Sequence, residues 1–168
     1  MSYSTLYGIN SKNELIEIKT YKNSHLACFP AWNYFEQKYF GTSLSPLAKP
    51  QCWDLEKEDM HSPSEYMTLL STFDGYIFKK ENLADIISLL KEQKDAIPAL
   101  SRLQMFEDAL LNQEYNEFFI TATSLADYED FMTYPLDEND EEDYSKPPIV
   151  TDEVWDLWAV YKIGSWIN

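Results

Sequence analysis

Two histidines and two cysteines are the residues best suited to hold a metal, and they stand as His25-x-x-Cys28 and Cys52-(eight residues)-His61. Zinc takes two Cys and two His in a tetrahedron, with about two to five residues between paired ligands. The second gap is too long for such a knuckle. The cysteines read instead as small buried hydrophobes and the histidines as surface or capping groups. Asp137-Glu138-Asn139-Asp140-Glu141-Glu142-Asp143 offers the oxygen ligands that a hard cation requires. An EF-hand loop needs Gly at its sixth position and Glu at its twelfth; counted from Asp137, these are Glu142 and Pro148. A solvated acidic loop is expected there, with no metal. Nucleophilic catalysis needs a nucleophile beside an oriented base, and neither histidine sits in such a signature. Gly8, Gly41, Gly75 and Gly164 are too far apart for a phosphate-cradling loop. No catalytic residue and no cofactor are assigned, and the chain is expected to bind rather than to catalyse.

The chemistry that remains is charge. The formal net charge is −16, and residues 107–168 carry 16 Asp and Glu against Lys146 and Lys162 alone. The densest stretch holds Asp127, Glu129, Asp130, Asp137, Glu138, Asp140, Glu141, Glu142 and Asp143, with no Lys or Arg. Tyr128, Phe131, Tyr134 and Tyr144 interleave with these acids. A one-signed surface repels nucleic acid and anionic lipid and attracts basic proteins. Tyrosine is rigid and amphipathic, and it makes a good interface anchor. The expected partner-binding residues are therefore Asp127, Tyr128, Glu129, Asp130, Tyr134, Asp137, Glu138, Asp140, Glu141, Glu142, Asp143 and Tyr144. The competing reading of the same stretch is a solubilising loop.

Several elements must position these residues. Tyr3–Ile9 and Glu14–Thr20 alternate apolar with polar around Asn10-Ser11-Lys12-Asn13, which predicts a β-hairpin. Ser24–Phe40 carries Phe29, Trp32, Phe35 (or Glu36) and Tyr39 at helical spacing, with Ser24 as cap or Pro30 in the first turn and Gly41 as its end. Residues 42–64 read as an irregular connection with a short turn near Trp53–Asp59. Tyr66–Leu70 and Gly75–Lys79 read as strands. Leu83, Ile86, Ile87 and Leu90 mark a helix, and Pro98 opens another through Leu100, Leu103, Phe106 and Leu110. Phe118–Ala122 reads as a strand, and an acidic loop spans about 127–148. Thr151, Asp152 and Glu153 look like the capped start of a last helix from Val154 to Trp166. The expected core includes Phe29, Trp32, Ile86, Leu90, Leu103, Phe106, Trp155 and Trp158.

Two hairpin-like regions and about four helices, without βαβ alternation, predict an α+β fold: a small antiparallel sheet with about four packed helices. At 168 residues, one globular domain over 1–168 is expected. Aromatics make up 15% of the chain, unlike acidic disordered proteins. No signal peptide and no membrane span are read, so the expected site of action is the reducing cytoplasm, with Cys28 and Cys52 as thiols.

The opening Met-Ser-Tyr-Ser-Thr-Leu-Tyr-Gly-Ile, then a short hairpin and the helical Ala31-Trp32-Asn33, resembles small phage and prophage proteins over roughly the first forty residues. The small, acidic, aromatic habit is similar to that of anti-CRISPR and toxin-immunity proteins. The resemblance implies an inhibitor that mimics nucleic acid or caps an active site on a basic, nucleic-acid-processing partner, without binding nucleic acid itself. The alternatives are a small hydrolase or ligand-binding domain with incidental acids, or a subunit of a larger assembly.

Overall fold

The computed structural model describes residues 3–22, 24–45, 47–97, 101–122 and 131–158. The alternating segments form the expected hairpin: β1 (Tyr3–Ile9) pairs antiparallel with β2 (Leu15–Lys22). Asn10 Oδ1 accepts the backbone N–H groups of Lys12 and Glu14 at 2.9 and 3.0 Å, which closes the turn. The helix α1 (Ser24–Phe35) starts at Ser24, so Pro30 lies inside it rather than in its first turn. It continues as a π-turn, Glu36–Phe40, which ends at Gly41 with φ 66°. That left-handed position is the helix end expected of the glycine. Two 3-10 turns, Gln51–Asp54 and Lys57–Asp59, occupy the irregular connection.

The helix α2 (Pro63–Leu70) replaces the strand expected at Tyr66–Leu70. Ser62 Oγ accepts the Glu65 N–H at 3.3 Å and Pro63 fills the first turn, a capped helix start. Residues Ser64 to Leu70 are all buried, so no polar face betrays the helical period. β3 (Tyr76–Lys79), α3 (Leu83–Glu92), α4 (Ser101–Leu111) and β4 (Glu117–Ala122) follow. Pro98, expected to open the helix of Leu103 and Phe106, lies outside the described residues.

β4 inserts between β1 and β3 and is antiparallel to both. The second expected hairpin is therefore replaced by a β2-β1-β4-β3 sheet, and β7 (Trp155–Asp156) adds in parallel at the β3 edge. β7 also corrects the start of the helix expected from Val154 to Trp166; residues 159–166 of that run lie outside the described residues. Thr151 to Val154 make a turn, closed by the Val154 N–H on the Thr151 carbonyl at 3.3 Å. Asp156 Oδ1 accepts the Trp158 N–H at 2.9 Å, and Leu157 and Trp158 are helical. The capping role expected of Thr151 falls to Asp156, which Lys79 Nζ holds at 2.8 Å. The architecture is the expected α+β: among the described residues, a small antiparallel sheet with four α-helices.

Strand alternation buries both faces of this sheet. One face sends Leu6, Phe78, Phe118 and Ile120 into a core shared with the helices, where Phe78 meets Phe106 edge-on at 4.6 Å. Trp32, Ile86, Leu90, Leu103 and Phe106 are buried as expected; Phe29 and Trp158 are only partly so. The side chain of Trp155 lies outside the described residues. Burial of about 25 cal/mol per Å² of apolar surface makes this cluster the main source of stability. Cys28 and Cys52 are buried free thiols. The opposite face presents Ile9, Leu15 and Phe119, with Tyr7 and Ile77 beside them. Among the described residues, no helix is long and apolar enough to cross a membrane.

Candidate protein-docking site

The second sheet face is covered by the segment that carries the acids. β5 (Met132–Thr133) and β6 (Ile149–Val150) pair antiparallel. Met132 is buried against Ile9, Leu15 and Phe119, and Phe131, Val150 and Val154 pack around it. The start of β2 is stitched to β6 by two backbone bonds: Leu15 N–H to the Pro148 carbonyl at 2.7 Å, and Val150 N–H to the Asn13 carbonyl at 3.2 Å. Gly75, at φ +87°, lets the chain pass under the Phe131 ring; a Cβ there would stand 2.5 Å from ring carbon Cε1. The apolar residues at both ends of the acidic stretch are thus its anchors.

Between these anchors the acidic loop forms a built turn. Leu136 and Glu142 face each other in an antiparallel bridge. The Asp137 N–H donates to the Glu141 carbonyl at 2.7 Å, and the Asp143 N–H to the Pro135 carbonyl at 2.8 Å. Asp137 Oδ1 accepts the N–H groups of Asn139 and Glu141 at 2.7 and 3.1 Å. Those two bonds hold its carboxyl below the usual carboxylate range. Asp140 adopts φ 62°, a conformation that short polar side chains tolerate. The Ser145 hydroxyl, then the Lys146 ammonium and the Ser145 N–H, pull the Asp143 carboxyl down to about 2.

Two of the predicted acids therefore shape the turn, and four are left to face solvent. Glu138, Asp140, Glu141 and Glu142 are exposed. None of the four is in an ion pair among the described residues; the pair in this turn is Lys146 with Asp143 at 2.9 Å. Tyr144 and Leu136 stand beside them, 70% and 57% exposed. The Tyr144 hydroxyl donates to Glu142 Oε2 at 2.5 Å, and its ring meets that of Tyr134 edge-on at 4.7 Å. Asp127, Tyr128, Glu129 and Asp130 lie outside the described residues. The structure thus brings eight of the twelve predicted residues onto one hairpin. Unpaired carboxylates on a fixed backbone, with an exposed ring and an exposed leucine among them, can bind a cationic surface at little ordering cost.

Sequence reasoning missed a second polar cluster, built by the π-turn and α2. Glu65 is 4% exposed, and its carboxylate accepts bonds from Lys38 Nζ and the Tyr39 hydroxyl. The Tyr39 oxygen in turn accepts the His61 N–H at 2.8 Å. Burial pushes the Glu65 carboxyl up, but the Lys38 and Tyr39 bonds outweigh burial and hold it below its ordinary value. Burial, and then donation to Glu65, raise the Tyr39 hydroxyl. Glu36, 3% exposed, accepts the Cys52 N–H at 2.6 Å. For Glu36 the sequence held a signal, its place at the helical spacing of the core side; Glu65, just before a segment read as a strand, had none. These bonded carboxylates tie the π-turn to its neighbours.

Among the described residues, no group of three or more His, Cys, Asp or Glu is arranged to hold a metal ion. No family model, no curated protein and no solved structure matches the chain significantly.

Proposed function

We propose that the protein is a stoichiometric inhibitor whose acidic hairpin docks on a basic, nucleic-acid-processing protein, a nuclease or CRISPR effector, and blocks its access to nucleic acid. One observation carries this reading: Glu138, Asp140, Glu141 and Glu142 are exposed without cationic partners among the described residues, on a turn fixed by its own side chains and flanked by exposed Leu136 and Tyr144. A solubilising loop needs no such frame. Complementary charge speeds encounter, and the apolar anchors slow release. The same charge repels DNA and RNA. The rival hydrolase or ligand-binding reading would gain from a convergent pocket holding His25 or His61 beside carboxylates. The buried carboxylate near His61 is Glu65, and Lys38 and Tyr39 already occupy its oxygens.

The test titrates the protein against purified basic nucleases and CRISPR effectors while nucleic-acid binding is followed. The expected result is a sharp endpoint at a fixed molar ratio with at least one target. Inhibition by a small fraction of one equivalent, growing with time, would replace the binder with an enzyme. No inhibition of any target in the set would remove the reading.

A further inference from the structure

We infer that the depression beside the π-turn, which shares no lining residue with the acidic hairpin, is a receptor site for a guanidinium group. The depression has a volume of about 450 Å³ and is lined by Tyr39, Phe40, Gln51, Asp54, Leu55 and Asp59. Among the described residues its lining holds two carboxylates, two aromatic rings and an amide and no cationic side chain, although Lys49 pairs with one of the carboxylates and Lys38 Nζ lies 5.9 Å from the Tyr39 ring centroid. An anion would be repelled, and a neutral apolar group would leave the carboxylates desolvated. A cation with an apolar face satisfies both halves of the lining.

Tyr39 and Asp59 are held before a ligand arrives. Tyr39 is pinned by Glu65 and by the His61 N–H. Phe40 ends the π-turn, is 39% exposed, and is followed by the chain reversal at Gly41. Asp59 Oδ2 accepts the Glu56 N–H at 3.0 Å as half of a capping box. π-turns recur where a helix must re-aim side chains for function. Asp54 already attracts a cation of the chain's own: Lys49 Nζ stands 2.9 Å from its Oδ1, with both side chains largely exposed. An incoming cation competes with Lys49 for that carboxylate.

Guanidinium fits better than ammonium. It is planar, stacks on aromatic faces, bonds carboxylates through two N–H groups and is less strongly hydrated. The same chemistry can arrive on a free small molecule or on an arginine side chain, and the two sources are separable by experiment.

The full chain, labelled with 15N, is titrated with agmatine and with N-acetyl-Gly-Arg-Gly-amide, and the amide resonances are followed by NMR. The lysine and citrulline versions of the peptide serve as controls. The expected result is saturable shifts at Phe40, Leu55 and Asp59 with a dissociation constant of about 1–10 mM. Lysine should bind more weakly and citrulline not at all. Asp54→Asn should weaken binding about two- to fivefold, and Lys49→Gln should tighten it by a similar factor. Equal binding of both probes points to the group alone; tighter binding of the peptide points to a chain-borne arginine. Citrulline binding like arginine, Asp54→Asn and Lys49→Gln leaving binding unchanged, or no shifts at these residues would each overturn the assignment.

Discussion

Asp137 Oδ1 accepts the Glu141 backbone N–H at 3.1 Å, while the Asp137 N–H donates to the Glu141 carbonyl at 2.7 Å. Each residue thus both gives and takes a bond, and Glu138, Asn139 and Asp140 are held in the turn between them. One acid is spent on shape so that its neighbours can face outward.

This arrangement separates shaping acids from displayed acids. Asp137→Ala removes the carboxylate that accepts the backbone N–H groups of Asn139 and Glu141 and should loosen the turn, seen as faster amide exchange at those two residues. Asp137→Asn keeps an acceptor oxygen and should preserve much of the protection. Glu138→Gln should leave exchange unchanged, since no bond in the turn uses its carboxylate. Equal exchange in wild type and Asp137→Ala would show that the side chain does not hold the turn.

Acid should undo the turn in a defined window. The Asp143 carboxyl lies at about 2 in the folded protein, against about 3.9 for a free Asp. A depressed folded value means a contribution that is complete above the unfolded pKa and is lost as pH falls through the folded one. Asp137, also held low, has the same sign. Protection of the amides around Ser145 and Glu141, measured as exchange relative to the intrinsic rate at each pH, should therefore fall between about pH 4 and pH 2. Protection that persists to pH 2 would contradict these bonds.

Gly75 tests the anchoring of the hairpin. An alanine there must tolerate φ +87° and a Cβ 2.5 Å from the Phe131 ring. Gly75→Ala should cost about 1–3 kcal/mol in urea denaturation. Phe131→Ala removes the obstructing ring, so Gly75→Ala made in that background should cost less. Additive losses in the double variant would show that Gly75 and Phe131 do not constrain each other.

Arg102 is 1% exposed, and its Nη2 lies 3.8 Å from Asp74 Oδ1 in the helical core. Among the described residues its Nε has no hydrogen-bond partner. Cys28, in contact with this guanidinium, has a thiol raised by burial, which the nearby positive charge only partly offsets. Breaking a buried pair leaves an uncompensated charge. Asp74→Ala should therefore lower stability by about 3–5 kcal/mol, and adding Arg102→Met should restore part of it. A double variant less stable than Asp74→Ala alone would contradict this account.

The first hairpin, the Gly41 stop and the α3 stripe could be read in the sequence because each depends on local periodicity or turn chemistry. α2 was readable in part: Ser62-Pro63-Ser64-Glu65 is a capped helix start. Its fully buried run from Ser64 lacks a polar face, so the apolar stretch imitates a strand. β7 could not be read locally. Thr151-Asp152-Glu153 has the composition of a helix start, but pairing with β3 extends the chain to Asp156 first. In the candidate site, composition identified the acids, while only the backbone bonds separate Asp137 and Asp143 from the four displayed ones. Glu36 and Glu65 escaped notice because a buried carboxylate has the same letter as an exposed one.

The central claim is that Glu138, Asp140, Glu141 and Glu142 steer and hold a basic partner. It is tested most directly by association kinetics with a nuclease or CRISPR effector that the wild-type chain inhibits. The comparison is with the variant Glu138→Gln, Asp140→Asn, Glu141→Gln, Glu142→Gln. Screening shortens the reach of exposed charges to ~8 Å at physiological ionic strength. The account predicts that the variant associates at least about tenfold more slowly at low salt, with most of the difference gone at high salt. Its thermal stability should be equal or higher, because like charges have been removed. Association rates equal to wild type at low salt, with the variant folded, would contradict the claim and return the hairpin to a solubilising role.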